Sequence, residues 1–131
     1  DTQDFLTEMT NEVMAMGPYF RAVIDSLDFF MQREDPSRVV AMLRMMQAHT
    51  QLYRGILFIT VSNDTITPAI KQEMAAIADM VCDFKVRTIG SDFETSMIVS
   101  KFRNAPENLS IMVYRVTPEE GITPETVERI A

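Results

Sequence analysis

Three stretches of the chain carry apolar side chains at helical spacing, and they are residues 4–16, 35–54 and 67–80. Each stretch has a boundary signal of a helix. Gly17-Pro18 follows the first stretch, and the other two open with Asp35-Pro36 and Thr67-Pro68. An oxygen-bearing side chain followed by proline in the first turn is a common helix start, because the oxygen accepts a hydrogen bond from a free backbone N–H. The pattern therefore predicts three helices.

Short β-like runs separate these helices. Residues 19–25 form a run that ends on an acid, Asp25. Residues 56–61, ILFITV, are almost continuously apolar, which is typical of a strand buried on both faces of a parallel sheet. The first part of the chain is therefore expected to contain parallel strands connected by a helix.

The rest of the chain alternates between apolar and polar positions with a period of two. The alternating runs are residues 81–89, 93–103 and 108–116. Short turns join them, which favours an antiparallel arrangement for the last two. We therefore predict a single α/β domain over residues 1–131, with a parallel sheet, antiparallel edge strands and a loosely packed tail at 117–131.

Composition restricts the class of protein. The chain has 131 residues, of which 47% are hydrophobic and 24% charged, as in a soluble domain. Its net charge of -7 argues against an obligate binder of nucleic acid or anionic membranes. One cysteine, Cys82, excludes an intrachain disulfide and suits a reducing cytoplasm, where we expect the protein to reside. No apolar run is long enough to span a bilayer. Because the sequence opens with Asp1 rather than Met, we expect a fragment or a processed piece.

Candidate chemistry lies where the two apolar strands end. Asp25-Ser26 follows the first run, and Thr60 and Ser62 lie at the end of the second. Ligands of open parallel sheets bind beyond the carboxyl ends of the strands. A single carboxylate there can hold Mg²⁺ through water, because Mg²⁺ keeps most of its waters. The competing interpretation is that Asp25 is a helix cap or loop acid and that the hydroxyls are ordinary turn residues.

A pair of cations forms a second candidate. Strand alternation places Lys101 and Arg103 on one face and Phe102 on the other, and two adjacent cations suit a polyphosphate. A charged, solvated edge strand is the alternative. A phosphate-cradling loop of the Gly-Lys-Ser or Gly-Lys-Thr kind is missing from the sequence, because no lysine follows a glycine.

The remaining chemistry-bearing residues are better explained by structure. His49 lies within a predicted helix and is expected to be a surface or a hydrogen-bonded histidine. One histidine and one cysteine exclude a zinc site of Cys and His ligands within one chain. The 11 methionines fall mostly on helical stripes, which favours core filling over a partner surface.

Four segments, taken in order, resemble a known family. They are FRAVIDSLDFF, RGILFITVS, AAIADMVCDFKV and MIVSKFRNAPENLSIMVYRVTPEEGI, and they span residues 19–122. This succession resembles the second half of a RecA-fold ATPase of the KaiC-like group, which includes the circadian-clock and archaellum-associated ATPases. The resemblance implies a partial RecA-like P-loop NTPase fold that lacks the P-loop strand.

The resemblance also implies roles for individual residues. Asp25, beside Ser26, would be the Walker B acid that helps to hold Mg²⁺, and Thr60 and Ser62 would lie near the polar sensor. Lys101 and Arg103 would reach across a subunit boundary toward the γ-phosphate of a neighbour's ATP. Asn104 stands where the family usually has glycine, and the P-loop lysine and the glutamate that precedes Walker B are missing.

The function implied is that of a module acting within a larger assembly. ATP and Mg²⁺ would bind only in the complete assembly, a homo-oligomer or ring or a complex with a protein partner. Nucleic acid and membrane are not expected as partners. The chain would not hydrolyse ATP alone, and its role would lie in signal transduction or motor regulation of an archaeal type.

The missing P-loop strand would leave a gap in the sheet between residues 56–61 and 81–89. Three solutions are open: the missing half on another chain, a strand swapped from a second copy, or direct pairing of the two flanking strands.

Two other functions compete with this one. A non-enzymatic signalling or assembly domain would keep the fold without nucleotide chemistry. A phospho-accepting receiver domain would use Asp25 as the acceptor, assisted by Thr60 and a lysine. The receiver is disfavoured because the segment that should carry its acidic pair is helical and no lysine precedes a proline.

Overall fold

The computed structural model describes residues 3–105 and 109–125. The chain divides into two compact units, residues 1–78 and 79–131. The first contains helices and a parallel strand pair, and the second contains an antiparallel sheet. The predicted α/β class is confirmed. That the whole chain forms one domain stays a prediction.

The elements of the first unit follow the predicted order, with one addition. They are α1 (Phe5–Met14), β1 (Arg21–Ile24), α2 (Asp28–Arg33), α3 (Pro36–Leu52), β2 (Ile56–Ile59) and α4 (Pro68–Ile77). A short 3₁₀ turn, Asn63–Thr65, lies between β2 and α4. The three long helices and both strands confirm the sequence pattern. The short helix α2 was not predicted.

The helix starts show why these segments fold locally. The side chains of Asp4, Asp35 and Thr67 accept hydrogen bonds from backbone N–H groups at the starts of α1, α3 and α4. Prolines in the first turns of α3 and α4 lack the N–H that would otherwise need a partner.

The core of the first unit lies between the helices and one face of the parallel strands. Its fully buried side chains include Leu6, Leu27, Val39 and Met46, each of which contributes about 1.5–3 kcal/mol by leaving water. Ala22, Ile24, Leu57 and Ile59 pack against this core from the strands. The helices therefore cover one face of the strand pair.

His49 is a hydrogen-bonded core residue, one of the two roles expected for it. The residue is 7% exposed, and its Nε2 lies 2.8 Å from the carbonyl oxygen of Met16, to which it donates. The ring also stacks at a tilt against Phe20 and Tyr53. It thus links the end of α3 to the segment between α1 and β1.

The second unit is an antiparallel sheet with strand order β3-β4-β5-β6. Its strands are β3 (Met80–Ile89), β4 (Asp92–Phe102), β5 (Ser110–Thr117) and β6 (Gly121–Glu125). Gly90, in the turn between β3 and β4, has a φ of 61°, which glycine adopts without strain. The strand β6 lies in the predicted tail and was not expected. Residues 106–108, which cover the end of the predicted turn at 104–107 and the first residue of the predicted strand at 108–116, and residues 126–131 lie outside the described residues.

The two strands that flank the predicted gap belong to different sheets. β2 pairs with β1 only, and β3 pairs with β4, within the part of the chain that the structure describes. How the predicted gap beside β2 is filled stays a prediction. In the described part of the chain, no helix is both long and apolar enough for a membrane crossing.

A first prediction concerns the packing of Gly55 at the start of β2. A Cβ built on Gly55 would stand well under 3.0 Å from the buried ring of Phe20. Overpacking of this kind costs about 1–3 kcal/mol, so Gly55→Ala should lower the free energy of unfolding by that amount. Urea denaturation measures it.

Gly17→Ala is the matched control, because a Cβ there meets nothing within 4 Å. It should change stability by less than about 0.5 kcal/mol. Equal stabilities of the two variants would contradict the packing described at Gly55.

Candidate functional site at the carboxyl ends of the parallel strands

Asp25 and Thr60 meet at the ends of the two parallel strands. Ile24 of β1 lies opposite Ile59 of β2, so the next residue of each strand emerges at the same edge. The Thr60 hydroxyl donates a 2.7 Å hydrogen bond to Oδ1 of Asp25, and both side chains are exposed. Parallel pairing therefore joins two of the predicted site residues.

Backbone hydrogen bonds hold the segments that carry Asp25 and Thr60 in place. The Thr60 N–H donates to the carbonyl of Ile24 at 3.0 Å, and the carbonyl of Thr60 accepts from the N–H of Leu27 at 2.9 Å. Leu27 is fully buried in the core, which anchors the segment that carries Asp25. The peptide bond between Asp25 and Ser26 is cis. The Asp25–Thr60 pair is thus held by the sheet on one side and by the core on the other.

Ser26 contributes to the local fold. Its side-chain oxygen accepts a 3.3 Å hydrogen bond from the backbone N–H of Asp28 at the start of α2. The side chain is half-buried. A role of Ser26 in binding a nucleotide stays a prediction.

Asp28 is a site residue that the sequence analysis missed. Its carboxylate accepts hydrogen bonds from the backbone N–H of Ser62 at 2.9 Å, from the Ser62 hydroxyl at 2.7 Å and from the Thr65 hydroxyl at 2.8 Å. Ser62 is therefore bound to Asp28, whereas Thr60 is bound to Asp25. The sequence carried no signal for this contact, because α2 was not predicted and the partners of Asp28 lie 34 and 37 residues away.

These hydrogen bonds change the acidity of Asp28. The backbone N–H of Ser62 has the largest effect, followed by the hydroxyls of Ser62 and Thr65, and together they lower the pKa of Asp28 from 3.8 to about 2. Each donor stabilises the ionised carboxylate. Asp28 therefore holds the turn after β2 in its ionised form at neutral pH.

The cationic pair lies in the second unit. Lys101 is opposite Val81 in the β3–β4 ladder, and β4 ends at Phe102. Arg103 follows in a turn, where its Nη1 lies 2.7 Å from Oδ1 of Asp79 and its backbone N–H donates to the carbonyl of Asp79 at 2.8 Å. β4 ends at Phe102, one residue before its predicted end, and the shared face of Lys101 and Arg103 stays a prediction. Their roles toward phosphate stay predictions.

The oxygen atoms of Asp25 and Thr60 fit a metal site that takes its other ligands from water and a bound phosphate group, and they are too few to hold a metal ion by themselves. Within residues 3–105 and 109–125, no group of three or more His, Cys, Asp or Glu side chains converges. Asp25 offers one exposed carboxylate beside the hydroxyl of Thr60. Mg²⁺ accepts such a set, because it binds one or two carboxylates and takes its other ligands from water and phosphate oxygens. The residues fit Mg²⁺ that is bound together with a phosphate group.

A second prediction concerns the pH dependence of the Asp28 cluster. A carboxylate whose pKa is lower in the folded protein stabilises it above the unfolded pKa, and this stabilisation is lost as the pH falls through the folded pKa. For Asp28 the window runs from pH 3.8 down to about 2. Asp28→Asn should therefore reduce the loss of stability across this window. Thermal unfolding at a series of pH values measures the slope of stability against pH.

The control is Asp64→Asn, which removes an exposed carboxylate of the same turn. Its slope should match that of the unmodified chain. A slope for Asp28→Asn equal to that of the unmodified chain would contradict the Asp28 network.

Two solved structures resemble the chain in fold. The flagellar accessory protein FlaH from Methanocaldococcus jannaschii matches with a TM-score of 0.69 and 18% identity over 94% of this chain. The KaiC-like protein PH0186 from Pyrococcus horikoshii OT3 matches with a TM-score of 0.63 and 17% identity over 93% of this chain. The match spans 54% and 53% of those two proteins, so the chain corresponds to about half of their length.

The comparisons establish the fold and the family. The chain has a partial RecA-like α/β fold, as the resemblance implied. No curated protein matches its sequence. The model of a family of unknown function, DUF7125, matches residues 1–114. The chain therefore belongs to the DUF7125 family.

Proposed function

We propose that this chain is a KaiC-like, RecA-type ATPase module that contributes the metal-side acid of an ATP site. The observation that carries the proposal is the Asp25–Thr60 hydrogen bond at the carboxyl ends of β1 and β2. Ligands of open parallel sheets bind at these ends. The similarity in fold to FlaH and to a KaiC-like protein supports the choice of ATP and Mg²⁺ as the ligands.

Asp25 and Thr60 have complementary roles in this proposal. Thr60 uses its one hydroxyl proton on Asp25, so its oxygen can act toward a ligand only as an acceptor. Asp25 accepts through Oδ1, and its carboxylate retains further acceptor capacity for the waters of a hydrated cation. The pair can therefore orient water next to a metal-bound phosphate. Mg²⁺, when bound with ATP, would neutralise the charge of the phosphate oxygens.

Asp28 has a positioning role in the same proposal. It fixes Ser62 and Thr65 through three hydrogen bonds. The turn that follows Thr60 is thereby held in one conformation, which keeps the Thr60 hydroxyl directed at Asp25. Ser62 then acts on the site through the shape of the turn, in addition to the polar sensor role that the family resemblance implies.

The chain would bind ATP weakly and would not hydrolyse it alone. Binding of a triphosphate in P-loop enzymes depends on backbone N–H groups of a glycine-rich loop and on its lysine. No lysine of this sequence follows a glycine. The cradle would have to come from residues outside this chain, within a cytoplasmic oligomer, a ring or a complex with a protein partner.

Lys101 and Arg103 would act at a subunit boundary. Arg103 is paired with Asp79, so it would have to exchange this carboxylate for a phosphate oxygen of a neighbour's ATP. Arginine can make such an exchange because its planar fork binds carboxylate and phosphate with the same geometry. FlaH is a flagellar accessory protein, which supports motor regulation, alongside signal transduction, as the process served.

A third prediction tests the metal-side role. Mn²⁺, used as a probe for Mg²⁺ in the presence of ATP, should broaden the amide resonances of Asp25 and Thr60 in an NMR spectrum of the chain. Asp25→Asn should abolish the broadening, because it removes the charged ligand, whereas Asp64→Asn should leave it unchanged. Broadening that survives in Asp25→Asn would place the metal elsewhere and contradict the proposal.

Calorimetry gives a fourth, independent prediction. ATP with Mg²⁺ should not bind the isolated chain as tightly as a Kd of about 1 μM, which corresponds to about -8 kcal/mol, because the phosphate cradle is missing from this sequence. Micromolar binding would show that the chain has a complete site of another kind. It would contradict the proposal that the phosphate cradle comes from residues outside this chain.

A non-enzymatic signalling or assembly domain is the second candidate. It is favoured because two predicted catalytic side chains already have partners within the chain. Ser62 donates a hydrogen bond to Asp28, and Arg103 forms an ion pair with Asp79. Replacing Lys101 and Arg103 with Ala in the complete assembly separates the candidates. Loss of ATPase activity favours the proposed module, and unchanged activity favours the non-enzymatic domain.

A further inference from the structure

The helix α3 has an apolar stripe on its exposed side. Four residues at i, i+4, i+7 and i+11 form the stripe, and all are exposed: Ala41, Met45, Ala48 and Leu52. This spacing places them in one line along the helix. Met45 is 49% exposed and Leu52 is 75% exposed. The stripe therefore consists of two large apolar side chains that alternate with two small ones.

The stripe lies on the outer side of the helical layer. The opposite side of α3 is buried among the core residues of the first unit, and α3 packs against α1, α2 and α4. These helices cover one face of the strand pair. A strand added at the edge of β1 or β2 would extend the sheet beneath the helices, so it would not cover the stripe.

A hollow of about 370 Å³ adjoins the carboxyl end of the stripe. Its lining residues are Pro18, Tyr19, Leu52, Tyr53 and Arg54. The Tyr19 N–H donates a 2.8 Å hydrogen bond to the carbonyl of Tyr53, which joins the segment before β1 to the end of α3. Ligand sites of proteins occupy about 300–1,000 Å³, so the hollow is large enough to receive a side chain of a partner.

Two residues of this hollow have an unusual backbone conformation. In the described part of the chain, Tyr19 and Arg54 are the non-glycine residues with a left-handed backbone, with φ of 61° and 53°. Side chains with a Cβ seldom adopt this conformation, whereas glycine adopts it without strain. Residues held in this way cluster at binding sites. The side chains of Tyr19 and Arg54 are therefore candidates for contact with a ligand.

Acidic residues are missing from the two ranges that form this part of the molecule. Residues 13–24 and 36–63 contain four arginines and no Asp or Glu. All 19 acids and the other eight cations lie elsewhere in the sequence. The two ranges thus have a net charge of +4, and the remainder of the chain has a net charge of -11. The stripe lies in a basic region of an acidic chain.

Two guanidinium groups beside the stripe have no acidic partner. Arg38 is paired with Asp4 and Glu34. Arg44, which lies next to Ala41 and Ala48 on the helix, and Arg54 are exposed, and neither forms an ion pair among the described residues. An added carboxylate could bind Arg44 or Arg54 without breaking an existing ion pair.

We propose that the stripe, the hollow and Arg44 form a docking site, the α3 surface, for an acidic amphipathic helix of a partner protein. The apolar side chains of the partner pack between Met45 and Leu52, where the small alanines allow the two helices to approach. Its carboxylates bind Arg44 and Arg54. The stripe is about 16 Å long, which matches about three helical turns of a partner.

A second copy of the chain is the less suitable partner. The helix α1 has acidic residues on its surface, Glu8 and Glu12, but its apolar residues Leu6 and Val13 are buried in its own core. Two α3 surfaces packed on each other would bring like charges together. A nucleic acid is disfavoured because the remainder of the chain, with its net charge of -11, repels an extended polyanion.

The test uses two synthetic helical peptides of about 18 residues, or five turns, with the same stripe of leucines. Glu flanks the stripe in one peptide and Gln flanks it in the other. Fluorescence anisotropy with the full chain should show binding of the Glu peptide that is at least about tenfold tighter. The difference should shrink in about 0.5 M NaCl, because salt screens charges at the surface. The methyl resonance of Met45 should shift on binding.

Variants on the α3 surface locate the binding. Leu52→Ser should weaken binding of the Glu peptide by about tenfold, and Arg44→Gln should weaken it by about fivefold, with thermal unfolding midpoints unchanged. Phe84→Ser and Arg33→Gln are the matched controls, because both residues are exposed and lie on other elements. Met45→Ser replaces Leu52→Ser if that variant does not fold.

Several outcomes would overturn the proposal. They are equal binding of the two peptides, no shift at Met45, and losses of binding in the control variants as large as those in Leu52→Ser and Arg44→Gln. A homodimer that shifts Met45 would make a second copy the partner, and a DNA oligonucleotide that displaces the Glu peptide would make nucleic acid the partner. The proposal is independent of the nucleotide site: peptide binding without Mn²⁺ broadening at Asp25 would contradict only the proposed function.

The reverse result, Mn²⁺ broadening at Asp25 without peptide binding, would refute the α3 surface and leave the proposed function standing.

Discussion

The parallel pairing of β1 with β2 is the constraint on which the rest of the structure depends. It brings residues that are 35 positions apart, Asp25 and Thr60, to one edge within hydrogen-bond distance. It also divides the strand residues between the helical core and the exposed face of the strand pair. A shift of β2 by one residue in this register would turn that strand over, placing Phe58 in the core and Leu57 outside while β1 keeps its faces. The register is therefore fixed by burial on one side only.

The two acids of this region have different surroundings. Asp28 receives three hydrogen bonds that lower its pKa and tie it to the turn after β2. Asp25 receives one from Thr60 and is exposed. A carboxylate that is saturated by donors stabilises structure, whereas one with spare acceptor capacity is available to a ligand. Asp28 is therefore interpreted as a structural residue, and Asp25 is the candidate metal ligand.

Local signals in the sequence were sufficient to predict the long elements. The caps at Asp35 and Thr67 act within three residues, and the strand at 56–61 was marked by composition alone. β6 was missed because Gly121 and Pro124 are turn-like residues, and only pairing with β5 makes the segment a strand. α2 is a six-residue helix, too short to give a periodic pattern.

The candidate site was only partly predictable for a related reason. Asp25 and Thr60 could be placed at one edge, because two apolar strands joined by a helix imply parallel pairing. Asp28 could not, since its partners Ser62 and Thr65 are 34 and 37 residues away and lie in a turn without a pattern. The pairing of Arg103 with Asp79 depends on where β4 ends. Alternation cannot show where a strand stops.

The most direct measurement is an experimental structure of the complete assembly with Mg²⁺ and a non-hydrolysable ATP analogue. The proposed function predicts that the triphosphate lies beyond the carboxyl ends of β1 and β2, with Mg²⁺ bound to Asp25 directly or through one water. A nucleotide bound at any other edge of the sheet, with Asp25 facing only bulk solvent, would contradict it.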